Sequence, residues 1–250
     1  MDSHTTEETQ DNSLVERLFR AGAHYGFSKS RRHPTAAPYL FSTKQGTDIF
    51  DLEKTSRLLA DAKEYLSDIA AKGGVVLLVG TKEEVKEIVK SCAIELSMPS
   101  VTNRWIGGTL TNFSQIQKRI NYLANLRAEQ ASGELDRKYT KKERLLLGRE
   151  MERLVLNFGG ITAMERPPAV LLVVDPRHEA LAVREARDMH IPVIAIMSSD
   201  CNADRVDWPV YLNDAHRSSV ALALDELAAG YKNGLTRAQA APAAREGRAS

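Results

Sequence analysis

The chain has only two cysteines in 250 residues, Cys92 and Cys201, and they fall in no CxxC or Cys/His spacing. That scarcity argues against a zinc module and a disulfide framework, and predicts two buried thiols in a reducing compartment. No apolar run approaches the roughly 20 residues of a membrane span, and the acidic start MDSHTTEETQD lacks the basic and apolar regions of a secretion signal. A cytoplasmic location is expected. Neither GxxxxGK[ST] nor GxGxxG occurs, so no phosphate-cradling motif is present. His24 and His33 have no matched acid and nucleophile, and His178, His190 and His216 read as surface or packing residues. Asp175, Asp200, Asp204 and Asp207 follow predicted strands, where hard cations can bind, yet isolated loop aspartates usually serve as caps and turns. The expectation is therefore no catalytic residues, no metal and no cofactor.

A large excess of one charge is also missing, since the net charge is +1. Its distribution is uneven. From Ser13 to Thr47 six basic residues face the single acid Glu16; from Asn103 to Arg153 eleven face six. Each segment carries a local excess of five positive charges. Such asymmetry suits a protein that lays one side on nucleic acid.

Periodicity supplies the architecture. Leu14–Ala23 reads as a short amphipathic helix, and Tyr39–Phe50 as two strands around a turn at Gln45-Gly46. Asp51 caps a helix to about Lys72, which stops at Gly73-Gly74. Three continuous apolar runs, Val75–Gly80, Ala169–Asp175 and Pro192–Met197, are strands covered on both faces, the mark of a parallel sheet. Helices at about Lys82–Leu96, His178–Met189 and Asn213–Tyr231 alternate with them and imply a doubly wound three-layer α/β domain. Trp208 reads as an apolar anchor beside the last strand. Residues 1–12 and the Ala-, Arg- and Pro-rich residues 235–250 are expected to be disordered, flanking a single domain over 13–234.

Residues 111–158 interrupt the alternation. Phe113, Ile116, Ile120 and Leu123, then Leu147, Met151, Leu154 and Phe158, form narrow stripes joined by a polar link containing Gly133. Stripes this narrow predict a protruding antiparallel, coiled-coil-like hairpin rather than helices lying flat on the sheet.

At the entrance to that hairpin stands NRWIGGTLTNF. Gly107 and Gly108 permit close approach or positive φ. Arg104 can fork onto a phosphate, Trp105 can stack or wedge, and Thr109, Thr111 and Asn112 can cap the helix or bond to sugar and phosphate oxygens. A purely structural turn accounts for the glycines and the cap, but not for the basic residues on either side.

GAHYGFSKSRRHPTAAPYLFSTKQGTDIFDLEKT, KGGVVLLVGTK, NRWIGGTLTNF, FGGI and VVDPRHEALAVREARDMHIPVIAI follow one another in order. Together they resemble the bacterial small-subunit ribosomal protein S2 family, over Leu14 to about Gly234. The resemblance implies a flavodoxin-like domain with a projecting helical hairpin and contacts to small-subunit rRNA. It also implies a solvent-side place between head and body, and help in holding the large mRNA-binding ribosomal protein. The family's usual GHxxxxWNPKMxPY is here GFSKSRRHPTAAPY, so Phe27, Arg32, His33, Thr35 and Ala36 replace His, Trp, Asn, Lys and Met. The usual DTNCDP is here SSDCNA, and GNDDA is LNDAH, which weakens the acidic loops.

The leading expectation is a non-enzymatic constituent of the small ribosomal subunit. Its RNA-contacting residues are expected to be His24, Lys29, Arg31, Arg32, Arg104, Trp105, Gly107, Gly108, Thr109, Asn112, Lys118 and Arg119. The rival is a flavodoxin-like nucleotide-binding or regulatory enzyme using the LLVGTK turn. A coiled-coil adaptor would need an exposed apolar face, whereas the hairpin's outer face is richly charged.

Overall fold

The computed structural model describes residues 14–246, so the expected disorder of residues 1–12 lies outside the described residues. Residues 14–20 form helix α1. A small antiparallel sheet follows, in which β1 (Tyr25–Ser28), β3 (Thr47–Phe50) and β2 (Leu40–Lys44) lie side by side in that order. Helix α2 (Leu52–Ala71) opens on Asp51, whose carboxylate accepts from the N–H groups of Glu53 and Lys54 at 3.1 and 3.3 Å.

The main sheet contains β4 (Val76–Val79), β5 (Ser100–Val101), β6 (Val170–Val174), β7 (Val193–Met197) and β8 (Trp208–Tyr211). All pairings are parallel, in the order β5-β4-β6-β7-β8. Counted along the chain this is 2-1-3-4-5, the flavodoxin-like order. Every residue of β4, β6 and β7 is buried, and alternate side chains enter opposite cores. Leu78, Leu172 and Ile194 meet α2, α3 (Lys86–Leu96) and α8 (Arg217–Glu246). Leu77, Leu171 and Ala195 meet the core that also takes in α4 (Phe113–Ala131), α6 (Lys141–Phe158) and α7 (Ala180–Asp188). Three layers result.

Besides β1, two strands of the main sheet escaped the periodicity reading. β5 has only two residues, and β8 carries Pro209, tolerated because β8 is an edge strand. Trp208 does anchor that edge, stacked on Tyr65 at 4.8 Å.

Helices α4 and α6 run antiparallel and pack on each other, with Ile116, Ile120, Leu123, Leu154 and Phe158 buried in the second core. The link between them is not loose: it holds α5 (Glu134–Lys138), and Thr140 and Glu143 form a capping box that starts α6. The outer face is less polar than the sequence suggested, for Leu145, Leu146 and Leu156 are each more than half exposed.

Helix α8 runs on to Glu246, through residues expected to be disordered. The composition reading overlooked that alanine is the best helix former, and that a partner was available in α2. Arg237 donates to Ser67 Oγ at 3.1 Å and Asp68 Oδ1 at 3.2 Å. A Cβ on Gly234 would lie 2.1 Å from the Ser67 carbonyl oxygen, so this glycine lets the helices touch.

Asp214, just beyond β8, is fully buried, and neither of its carboxylate oxygens meets a donor among the described residues. Burial, and then the neighbouring Asp175, push its pKa up to about 8 against the pull of Lys82. The carboxyl is therefore neutral in the fold below about pH 8 but ionised in the unfolded chain above about pH 4, so its contribution to stability falls as pH rises between those values. Asp214→Asn should thus become more stable than the parent by on the order of 1 kcal/mol or more near pH 8, with a smaller difference near pH 5. Urea unfolding of both proteins across this range measures it; a pH-independent difference would contradict a neutral Asp214.

Candidate nucleic-acid interface

Residues 102–112 leave the carboxyl end of β5 and lead into α4. Their shape is set by a residue that sequence reasoning missed. Glu185, on the inner face of α7, sends its carboxylate into the turn. Oε1 accepts from the Trp105 indole N–H at 3.1 Å and the Gly108 N–H at 2.8 Å. Oε2 accepts from the N–H groups of Leu110 at 3.0 Å and Thr111 at 3.2 Å, and from the Thr111 hydroxyl at 3.2 Å. Burial alone would raise the Glu185 pKa, but these donors outweigh it and hold the carboxyl below its ordinary range. The available signal was an acid three residues after buried Ala182 in an otherwise apolar helix face.

This carboxylate corrects two expected roles. Trp105 is only 7% exposed, with its N–H committed to Glu185 and its ring in the second core, so it does not stack on a base. Thr109 is 2% exposed, and its hydroxyl donates to the Ile106 carbonyl at 2.6 Å. Asn112 is the N-cap residue of α4, though its side chain makes no capping bond.

The remaining expected residues of this stretch do converge. Gly107, Gly108, Asn112, Lys118 and Arg119 line one cleft of about 530 Å³, with Tyr122 at its side. Lys118 and Arg119 are exposed, as is Arg104 beside the turn, and none of the three forms an ion pair with a described residue. No acidic residue lies in the first turn of α4. The chemistry offered is two cations, an amide side chain and an open backbone.

The N-terminal group is separate and divides. Lys29 is exposed, and Arg31 lies over the Phe27 ring with 5.4 Å to its centroid. Arg32, expected on the RNA side, instead turns inward. Its Nε donates to Asp48 Oδ2 at 2.8 Å and its Nη2 bonds to Oδ1, because Asp48 is fully buried in β3 and needs a counter-charge. His24 also turns to the fold: its ring stacks on Phe19 and lies tilted against Tyr25, and burial lowers its pKa, which disfavours the charged form.

The sequence profile of the ribosomal protein S2 family matches residues 18–234. The chain belongs to that family. Among its relatives, proteins from two strains of Dehalococcoides mccartyi, each named small ribosomal subunit protein uS2, are 42% identical over 214 residues, covering 86% of this chain and 87% of theirs. A protein of the same name from a Roseiflexus species is 39% identical over 223 residues, covering 89% of this chain and 85% of its own. The S2 family is structural, and the chain is not an enzyme.

In this S2-family chain the LLVGTK turn is closed by its own carboxylates. The Thr81 N–H and hydroxyl both donate to Glu179, at 2.9 and 2.6 Å, and Lys82 pairs with Asp175. A phosphate entering there would meet negative charge. Gly80 serves packing, since a Cβ would lie 2.8 Å from Val89. Asp175, Cys201 and Asp214 do gather possible ligand atoms within 4.8 Å of one another, a grouping the sequence reading did not draw, with Lys82 already neutralising part of it. No described helix is long and apolar enough to cross a membrane.

Removing the Glu185 carboxylate strands several buried donors, each costing about 1–3 kcal/mol when unsatisfied. Glu185→Ala should lower unfolding free energy by roughly 3 kcal/mol at neutral pH. The depressed pKa also means that parent stability contributed by Glu185 is lost as pH falls through the acidic range, a dependence that the variant should lack. Matched denaturant titrations test both; a change below about 1 kcal/mol would show that the turn holds its shape without the carboxylate.

Proposed function

We propose that this chain is a structural constituent of the small ribosomal subunit, acting in the cytoplasm as part of the ribosome, and that it binds small-subunit rRNA through the cleft beside its double glycine. The observation that carries the reading is an asymmetry between those glycines. Gly108 has φ +89°, and its Cβ would stand 3.2 Å from that of Asn112, so the fold itself needs glycine there. Gly107 is exposed, and its Cβ would meet only Leu181 Cδ2, at 3.8 Å. Nothing in the folded chain demands glycine at 107; a partner's backbone approaching closely does.

Arg104, Lys118 and Arg119 supply phosphate-seeking charge around that approach, and Asn112 supplies an amide. Lys29 and Arg31 give a second, smaller basic surface. The α4–α6 pair, read as a projecting coiled-coil hairpin, adds exposed Lys142, Arg149 and Arg153. Its exposed leucines support a protein neighbour as well. A role in holding the large mRNA-binding ribosomal protein follows from the family resemblance and is part of the same proposal. The nucleotide-binding alternative loses its support with the closed LLVGTK turn.

Gly107→Ala should leave the unfolding midpoint nearly unchanged yet weaken association with subunits lacking this protein by about tenfold, whereas Gly108→Ala should cost more than about 1 kcal/mol of stability. Equal effects on folding and association for the two variants would remove the argument for close approach.

A net charge of +1 gives little long-range steering, so the chain should join late, once folded rRNA and protein neighbours present a combined surface. Depletion should then yield small subunits with most proteins present but poor in the mRNA-binding one. Subunits stalled at an early, protein-poor stage would contradict this order.

A further inference from the structure

Helix α7 has a second face that the proposed interface does not use. Arg184 and Arg187, one turn apart on its outer side, converge with Arg205 from the loop before β8 around a cleft of about 450 Å³. All three are exposed, and none forms an ion pair with a described residue. Arg17, Arg32, Arg144 and Arg177 are instead neutralised within the fold, by Glu226, Asp48, Asp136 and Asp200, whereas the three of the cleft share with Arg104 and Arg119 the lack of a described carboxylate partner. Asp188 lines the cleft too but pairs with none of the three.

We propose that this cleft is a phosphate-binding site for an RNA backbone, a second contact that rests on the ribosomal reading and extends it. Three guanidinium groups present forked donors suited to phosphate oxygens. Apart from Pro176, Ala180 and Val183 the lining is charged, and it contains no aromatic side chain. Bases have no aromatic ring to stack on, and a protein partner finds no aromatic or large apolar anchor. Backbone phosphate fits the chemistry that remains. The position fits as well: Leu181, one turn before Arg184, is the residue that the Cβ of Gly107 would touch, so α7 bridges the two surfaces. Glu185, between the arginines in sequence, fixes the helix to the glycine turn and thereby sets the spacing of the contacts.

The test titrates protein-free small-subunit rRNA, and small subunits stripped of this protein, with the full chain and with its Arg184→Gln/Arg187→Gln/Arg205→Gln variant across a salt series. On rRNA the log–log salt slope should fall by about 2, since each phosphate contact contributes roughly 0.7–0.9, and affinity at moderate salt should drop about tenfold or more. Thermal unfolding should be unchanged, and the corresponding triple lysine variant should recover most of the slope. A parental slope in the glutamine variant overturns the cleft assignment and leaves the ribosomal reading standing. A variant with parental rRNA binding that fails only on stripped subunits would place a protein carboxylate in the cleft, and overturns it too. If the parent chain binds neither probe, the ribosomal reading itself fails.

Discussion

The Glu185 carboxylate ties together elements that are distant in sequence. It accepts from residues on the loop after β5 while riding on α7, which follows β6. Without an acceptor at that point, the double-glycine turn would bury several N–H groups with no partner, and a chain in that condition finds another conformation. With it, the start of α4 is fixed relative to the sheet, and the floor of the cleft takes shape. The outward arginines of α7 inherit their placement from the same anchor. Two surfaces proposed to meet RNA are therefore rigidly coupled through one helix rather than carried on independent loops.

What could be read from the sequence was local. The continuous apolar runs gave β4, β6 and β7, Asp51 announced α2, and the narrow stripes marked α4 and α6, because burial repeats at 2 or 3.6 residues leave a trace in adjacent letters. The features that stayed hidden are pairings across long separations. Trp105 and Glu185 stand 80 residues apart, and a tryptophan destined for a buried carboxylate has the same neighbours as one destined for a base. Arg32 looked like a free cation because Asp48, its partner, reads in isolation as an ordinary strand residue. The extended α8 was missed for a related reason: composition described its end, but only α2 supplies the surface it lies on.

The small net charge conceals a division of labour. At the carboxyl ends of the parallel strands, where doubly wound folds usually open toward a ligand, this chain sets its own charges against each other. Lys82 faces Asp175, Glu179 receives Thr81, and Arg177 meets Asp200. Apart from the buried Asp214, that edge pairs its charges from within. Exposed cations without a described ion-pair partner lie outside it, among them those on α4, on α7 and beside the double-glycine turn. A familiar enzyme scaffold is thereby closed at its usual mouth, and the binding proposed for this chain falls to its outer surface.

The close seating of α8 on α2 bears on how the molecule comes into being. One whole face of the sheet is covered by these helices with α3, and Gly234 of α8 presses against the Ser67 backbone. The covering helix is also the last of the described elements in chain order. Until residues beyond about 217 have left the exit tunnel, Leu78, Leu172 and Ile194 lack half their cover, and the parallel sheet cannot settle during synthesis as an N-terminal unit would. That face of the sheet thus reaches its final packing only once α8 is available to cover it. A truncated product from an interrupted message would be left unfolded, open to proteolysis, and unable to occupy a nascent subunit in place of the intact protein.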